Sequence, residues 1–142
     1  MNPDKNIESI VRAIVVKNDK ILLCNNLKHN FYFLPGGHIE EGEPPEGALK
    51  RETLEELNKI LQKTKYITKI SNSFVQEGEQ HDEVFLIYLV ALEDYENIES
   101  KEDHIRFEWV PINNLSLVDF KPRKAISDIL KSIKENKNFW IK

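Results

Sequence analysis

The chain has 142 residues and a formal net charge of −4, and 40% of its residues are apolar and 31% charged. This length and composition predict one domain, residues 1–142, that can bury its own core. The mild negative charge argues against a nucleic-acid partner, because general nucleic-acid binders carry a basic stripe. No segment approaches the ~20 apolar residues of a membrane helix and no secretory signal follows Met1, so we expect a cytoplasmic protein without a membrane partner.

The first third of the chain carries strand signals. Residues 10–16 and 20–24 are predicted strands because they are rich in apolar and β-branched residues, and the polar residues 17–19 form the turn between them. Residues 31–34 form a short aromatic strand that Pro35 ends. A glycine-rich turn is expected directly after it.

A helix is predicted over residues 45–57. Pro45 suits its first turn, where the missing N–H costs nothing. We expect Leu54, Leu57 and Leu61 to form the apolar stripe that anchors this helix on the core.

The second half returns to strands and ends in a helix. Residues 66–76 and 83–92 are predicted to form a strand pair across the polar turn 77–80, and residues 107–110 form a further strand. Residues 122–134 are predicted to form a closing helix. Its inward residues are expected to be Ile126, Ile129, Leu130 and Ile133. This mixture of elements predicts an α/β fold with a mixed sheet between helices.

The acidity of the chain is concentrated in one segment. Between Gly37 and Glu56 there are seven acidic residues against two basic ones. Helical offsets of three and four place Glu52, Glu55 and Glu56 on one face. An oxygen-only cluster of this kind suits a hard cation such as Mg²⁺ or Mn²⁺.

The same segment resembles the signature of the Nudix hydrolases, G-x5-E-x7-R-E-U-x-E-E-x-G-U, where U is a bulky apolar residue. The matching residues of the box, which runs from Gly37 to Lys59, are Gly37, Glu43, Arg51, Glu52, Glu55 and Glu56. Three softer positions differ, with Thr53 and Lys59 in place of apolar residues and Asn58 in place of glycine. Asn is the next-best residue at a left-handed helix end, so that change is mild. The resemblance implies the α/β/α sandwich of the Nudix fold.

The resemblance also implies a metal-dependent hydrolysis of a phosphoanhydride bond. The metal ligands, for Mg²⁺ or Mn²⁺, would be Glu52, Glu55 and Glu56 of the box and the carbonyl oxygen of Gly36, which directly precedes it. Arg51 lies one position off the ligand face, so we expect it to pair with Glu43 and Glu55 and hold the loop against the helix. Gly37 and Glu43 are structural residues of the box, and Gly37 is also expected near the substrate.

The sequence leaves two alternatives for the general base, the group that takes a proton from the attacking water. By resemblance it is Glu52 on the helix or an acid of a later loop. The later candidate is Asp103, six residues before Trp109, and Glu102 is its neighbouring alternative. His81 is expected near the substrate, and Tyr32 or Phe33 is expected to stack on a base.

The substrate class implied is a small nucleotide-type molecule acted on by a monomer or homodimer. Candidates are a nucleoside triphosphate, ADP-ribose or another nucleotide sugar, and a dinucleoside polyphosphate. The alternative is a non-catalytic Nudix-like domain that binds a nucleotide and regulates. Such a domain normally loses one of the helix glutamates, whereas this chain keeps Arg51, Glu52, Glu55 and Glu56. The sequence therefore favours the enzyme.

Overall fold

Two four-stranded sheets form the centre of the computed structural model, which describes residues 7–141. The first sheet contains β1 (Ile7–Ile14), β5 (Gly36–His38), β6 (Leu61–Gln76) and β7 (Glu79–Leu92), in the order β5-β1-β7-β6. Strand β1 runs antiparallel to β5 and parallel to β7, so this sheet is mixed.

The second sheet is antiparallel throughout. It contains β2 (Val16–Lys17), β3 (Lys20–Asn26), β4 (Phe31–Phe33) and β8 (Ile105–Pro111). Strand β3 pairs with each of the other three. Asn18 and Asp19 both have positive φ, 52° and 62°, as a tight two-residue hairpin between β2 and β3 requires.

Two longer helices cover the sheets. Helix α1 (Pro45–Glu52) continues into a π-helical segment, Thr53–Leu57. Asn58 ends this helix with a left-handed backbone, φ 55°, and its N–H donates to the carbonyl oxygen of Leu54. Helix α2 (Ile126–Glu135) follows a 3₁₀ turn at Arg123–Ala125, and a second 3₁₀ turn, Ile112–Asn114, follows β8.

The two faces of the sheets bury separate apolar cores. Val11 and Ala13 of β1 pack with Leu49 of α1, while Ile10 and Ile14 pack on the opposite face, toward α2. This alternation is the two-residue period of a strand that is covered on both sides. The predicted α/β class, with a mixed sheet between helices, is confirmed.

The acidic helix rests on a different stripe from the predicted one. Leu54 was expected to be buried but is 53% exposed, whereas Leu49, Thr53 and Leu57 are buried. These three lie four residues apart and share one helix face, and Leu54 lies about 100° further round the helix. Leu61 packs against the α1-side core from β6, as expected of a residue that follows the helix end.

Some strand boundaries also differ from the sequence predictions. The expected turn at Pro35-Gly36-Gly37 contains strand β5, because Gly36 and Gly37 pair with Arg12 and Val11 of β1. Strands β6 and β7 start earlier than predicted, and the turn between them shrinks to two residues with positive φ, Glu77 and Gly78. In α2, Ile126, Ile129 and Ile133 are buried as predicted, and Leu130 is partly buried against the same core.

Within residues 7–141, no helix is both long and apolar enough to cross a membrane.

Candidate active site

Arg51 connects the acidic helix to the loop that precedes it. Its Nε and Nη2 donate to the two carboxylate oxygens of Glu43, each at 2.9 Å. Nη2 also donates to the carbonyl oxygen of His38, at the end of β5, at 2.9 Å. Nη1 donates to Glu52 at 2.8 Å and to Glu55 at 3.3 Å. The expected contacts of Arg51 with Glu43 and Glu55 are present, and one guanidinium ties loop, strand and helix together.

The two glycines of β5 bring backbone close to the acidic helix and to β1. Gly36 has φ 150°, and a Cβ there would overlap with the carbonyl oxygen of Val11. A Cβ on Gly37 would overlap with the carboxylate of Glu52. Only residues without a side chain allow β5 to approach both neighbours this closely.

A narrow cleft between β5 and the acidic helix contains most of the predicted metal-ligating groups. Gly36, Glu52 and Glu56 line it together. The side chain of Glu55 is 56% exposed, and its carboxylate forms an ion pair with Arg51. Among residues 7–141, no three His, Cys, Asp or Glu side chains converge closely enough to hold an ion by themselves. The cleft is therefore lined by Gly36, Glu52 and Glu56, whereas Glu55 does not line it.

The charge on Glu56 is poorly compensated. Burial raises the pKa of its carboxyl group, and the negative charges of Glu52, Glu102 and Glu55 raise it further, while Lys101 opposes them. A partly buried carboxylate with three like charges nearby is a site where a cation would be stabilised.

A cavity of about 210 Å³ opens beside this cleft. Gly36, Gly37 and Glu56 line one side, and Glu102, Phe107 and Phe33 line the other. Strand register explains the second side, because Cys24 of β3 lies opposite Phe33 of β4 and opposite Phe107 of β8. We call this space the carboxylate cavity.

The loop before β8 brings Glu102 into the carboxylate cavity. Asp103, the first candidate as proton acceptor, is exposed and does not line it. Glu102 and Glu56 line this cavity together, and the negative charge of Glu102 is one of the causes that raise the pKa of Glu56. The structure therefore favours the neighbouring alternative, because Glu102 lines the cavity and Asp103, in the turn that follows, does not.

The thiol of Cys24 also faces the carboxylate cavity. Burial raises its pKa to about 12, although Arg12 opposes that change. The thiol is therefore protonated at neutral pH and is not a nucleophile there.

A larger cavity of about 640 Å³ adjoins the first, and we call it the aromatic cavity. Four phenylalanine side chains form its walls, together with three amides, two cations and one acid. These residues are Phe31, Phe33, Phe74, Phe85, Asn26, Asn72, Gln76, Arg12, Lys121 and Glu83. Arg12 and Phe33 line both cavities.

Two residues expected near the substrate lie outside the aromatic cavity. Tyr32 alternates with Phe31 and Phe33, so its ring packs on the other face of β4, against the α2-side core, and its hydroxyl lies 3.4 Å from Glu108. His81 does not line the cavity but stacks on Phe74, with ring centroids 5.1 Å apart. Phe33, the other expected residue, does line it.

Arg12, Phe74 and Phe85 were not singled out from the sequence. A signal existed for Arg12, since it is the one charged residue in the apolar run of residues 10–16. Charged residues in such runs are seldom placed there without a partner or a ligand. Phe74 and Phe85 carry no such signal, because aromatic residues are common in strands of any role.

Comparisons with known proteins agree with this geometry. The sequence model of the NUDIX domain matches residues 8–130. The chain is 29% identical over 126 residues to an ADP-ribose pyrophosphatase of Methanocaldococcus jannaschii, which covers 85% of this chain and 72% of the relative.

Solved structures share the fold at lower identity. A MutT NUDIX hydrolase from Burkholderia pseudomallei superposes with a TM-score of 0.74 and 21% identity, covering 91% of this chain and 99% of that one. The ORF135 protein of E. coli superposes with a TM-score of 0.69 and 18% identity, covering 94% and 95%. These similarities show that the chain shares its fold with both proteins.

Proposed function

The chain belongs to the Nudix family of pyrophosphohydrolases, and we propose that it uses a divalent metal ion to hydrolyse a phosphoanhydride bond in a nucleoside diphosphate linked to another group. The other group is phosphate in a nucleoside triphosphate, a sugar in ADP-ribose or another nucleotide sugar, or a second nucleotide in a dinucleoside polyphosphate. The observation that carries this proposal is the cleft in which Gly36, Glu52 and Glu56 meet beside the carboxylate cavity.

The donor set of the cleft fits a hard cation. We propose Glu52, Glu55, Glu56 and the carbonyl oxygen of Gly36 as ligands of Mg²⁺ or Mn²⁺, because all are oxygen donors. The unbalanced negative charge at Glu56 supports this assignment. When bound, the ion neutralises phosphate charge and activates water.

The chain's own residues have separate tasks in this proposal. Arg51 holds Glu52 and Glu55 through hydrogen bonds at 2.8 and 3.3 Å and is itself held by Glu43. Both carboxylate oxygens of Glu43 accept hydrogen bonds from Arg51. These two bonds hold Arg51 in place when Glu52 and Glu55 bind an ion instead. Glu102, on the opposite wall, accepts the proton of the attacking water.

The test is product analysis with purified protein. Nucleoside triphosphates, ADP-ribose and a dinucleoside polyphosphate are each incubated with Mg²⁺, with Mn²⁺ or with EDTA. Hydrolysis at the phosphoanhydride releases pyrophosphate from a triphosphate and two monophosphates from ADP-ribose. We expect activity with at least one of these substrates, and loss of activity in EDTA. Full activity in EDTA would contradict the proposed metal dependence.

Glu56→Gln is the decisive variant of this experiment. It should lower turnover by orders of magnitude, since it removes a ligand, yet leave the melting temperature at neutral pH unchanged or raised. The reason is that Glu56 is partly buried near like charges, so a neutral side chain relieves repulsion in the folded state. Nucleotide binding without hydrolysis in the wild-type protein, with either ion, would instead identify a regulatory nucleotide-binding domain.

A further inference from the structure

The side chain of Arg12 stands where the aromatic and carboxylate cavities meet. Its guanidinium carbon lies 5.3 Å from the ring centroid of Phe33 and 5.8 Å from that of Phe85. Arg12 projects from the same face of β1 as the buried Ile10 and Ile14. It therefore occupies a core-facing position whose ordinary occupant would be apolar.

The guanidinium of Arg12 has N–H donors that are not bonded to a carboxylate. Between Ile7 and Ile141, no hydrogen bond or ion pair joins it to a carboxylate. Its nearest acidic neighbours act only through their fields, with Glu83 in the aromatic cavity and Glu52 and Glu56 toward the carboxylate cavity. A guanidinium has five N–H donors and binds phosphate through two of them at once. A half-buried cation held by two aromatic rings and no acid is suited to an anionic ligand.

The aromatic cavity has the dimensions and chemistry of a nucleoside site. Its volume of about 640 Å³ lies within the range of roughly 300–1,000 Å³ usual for small-molecule sites. Phe31, Phe33 and Phe85 offer flat apolar walls, and the amides of Asn72 and Gln76 offer polar groups for the edge of a base.

We propose that the aromatic cavity binds the nucleoside of the nucleotide substrate and that Arg12 binds the adjoining phosphate, directing the phosphoanhydride bond into the carboxylate cavity. This inference rests on the proposed function and adds which groups hold the nucleoside and the phosphate next to it. The nucleoside monophosphate product is then held by the same two groups.

Lys121 provides a matched comparison for Arg12. It is the second cation of the aromatic cavity, and its Nζ lies 4.7 Å from the ring centroid of Phe31. Arg12 also lines the carboxylate cavity, whereas Lys121 does not. The proposal therefore assigns the phosphate to Arg12 and leaves Lys121 to the nucleoside end.

The experiment measures binding without catalysis. Affinities of AMP and adenosine, and of GMP and guanosine, are determined by calorimetry in EDTA at constant ionic strength, for wild-type, Arg12→Met, Arg12→Lys and Lys121→Met proteins. In the wild type, the better-bound monophosphate should bind at least about tenfold more tightly than its nucleoside, as expected for a charge-assisted pair. Arg12→Met should abolish this ratio with nucleoside affinity unchanged, and Arg12→Lys should restore part of it. Lys121→Met should leave the ratio intact.

Each remaining outcome decides the matter. An unchanged ratio in Arg12→Met, or loss of the ratio in Lys121→Met alone, overturns the assignment of the phosphate to Arg12. If Arg12→Met does not fold, as melting curves would show, the ratio in Arg12→Lys decides. A wild-type ratio in that variant overturns the assignment to Arg12, and a reduced ratio supports it. If the affinity ratios are as expected but no substrate is hydrolysed, the proposed function is wrong and this inference stands.

Discussion

At the scale of single residues, the shape of the Arg51 side chain matters more than its charge. Its three nitrogens reach Glu43, Glu52, Glu55 and the carbonyl oxygen of His38. An ammonium group is a compact point charge and cannot serve these partners in one plane. We therefore expect Arg51→Lys to weaken metal affinity by about 10–100-fold, the usual effect of losing a group that orients ligands, and to lower turnover with it. Both quantities are measured in one titration of activity against Mg²⁺.

The matched control for this variant is Lys50→Arg, on the same turn of α1 and exposed. It alters the same kind of side chain without touching the loop. Wild-type metal affinity and turnover in Arg51→Lys would show that charge alone suffices.

The loop before β8 supports a second prediction at this scale. Because Glu102 lines the carboxylate cavity and Asp103 does not, Glu102→Gln should lower kcat at neutral pH by about 10²-fold, within the usual range for a general base. Its pH–rate profile should lose the acidic limb, whereas loss of a metal ligand would raise the metal requirement instead. Asp103→Asn, one residue along the loop, is the control and should change kcat little. The reverse ranking of the two variants would return the role to Asp103.

At the scale of secondary-structure elements, the two glycines of β5 have different roles. Gly36 is needed for the packing of β5 on β1, and Gly37 is needed for the position of Glu52 in the site. A Cβ on Gly36 would overlap with backbone of β1, which has little freedom to move, and φ 150° adds strain. A Cβ on Gly37 would meet the end of the Glu52 side chain, which can rotate away. Gly36→Ala should therefore lower the melting temperature strongly. Gly37→Ala should lower it less but reduce turnover, because Glu52 is displaced.

Melting curves and turnover of the two variants test this difference. Gly78→Ala is the control for positive φ alone, since it has φ 80° and no atom near its added Cβ. If Gly36→Ala melts no lower than Gly78→Ala, the contact between β5 and β1 is looser than the structure shows.

At the scale of the whole molecule, the pairing of Glu43 with Arg51 links folding stability to pH. The hydrogen bonds from Arg51 lower the pKa of Glu43 from 4.5 to about 2. A carboxyl group whose pKa is lowered by folding stabilises the folded protein at pH values above the pKa that the group has in the unfolded protein. That stabilisation is lost as the pH falls from about 4.5 toward 2. Glu43→Gln should therefore be less stable than wild type at pH 7, with the difference vanishing near pH 2.

Urea unfolding of both proteins across this pH range, in EDTA, measures the effect. Glu41→Gln serves as the control, because Glu41 lies in the same loop and, among residues 7–141, forms no hydrogen bond or ion pair with Arg51. A difference between Glu43→Gln and wild type that persists to pH 2 would mean that the lost interaction is not electrostatic.

The sequence by itself determined the features that depend on short distances along the chain. The spacing of Glu52, Glu55 and Glu56 on one helix, and the left-handed end at Asn58, follow from helix periodicity and from the backbone preferences of single residues. The pairing of Arg51 with Glu43 could also be predicted, since the loop between them is short. These are local properties, and the structure shows the same arrangement.

Only the tertiary structure decided which side chains face the cavities. Phe33 rather than Tyr32 lines both cavities because the β3–β4 register places Phe33 opposite Cys24, and a shift of one residue would exchange the two. Glu102 meets Glu56 only because β8 pairs with β3 and carries its preceding loop to the acidic helix. Arg12 acquires its position from the packing of Phe33 and Phe85, which lie far from it in sequence. Such contacts depend on strand pairing across the molecule, which residue patterns along the chain do not specify.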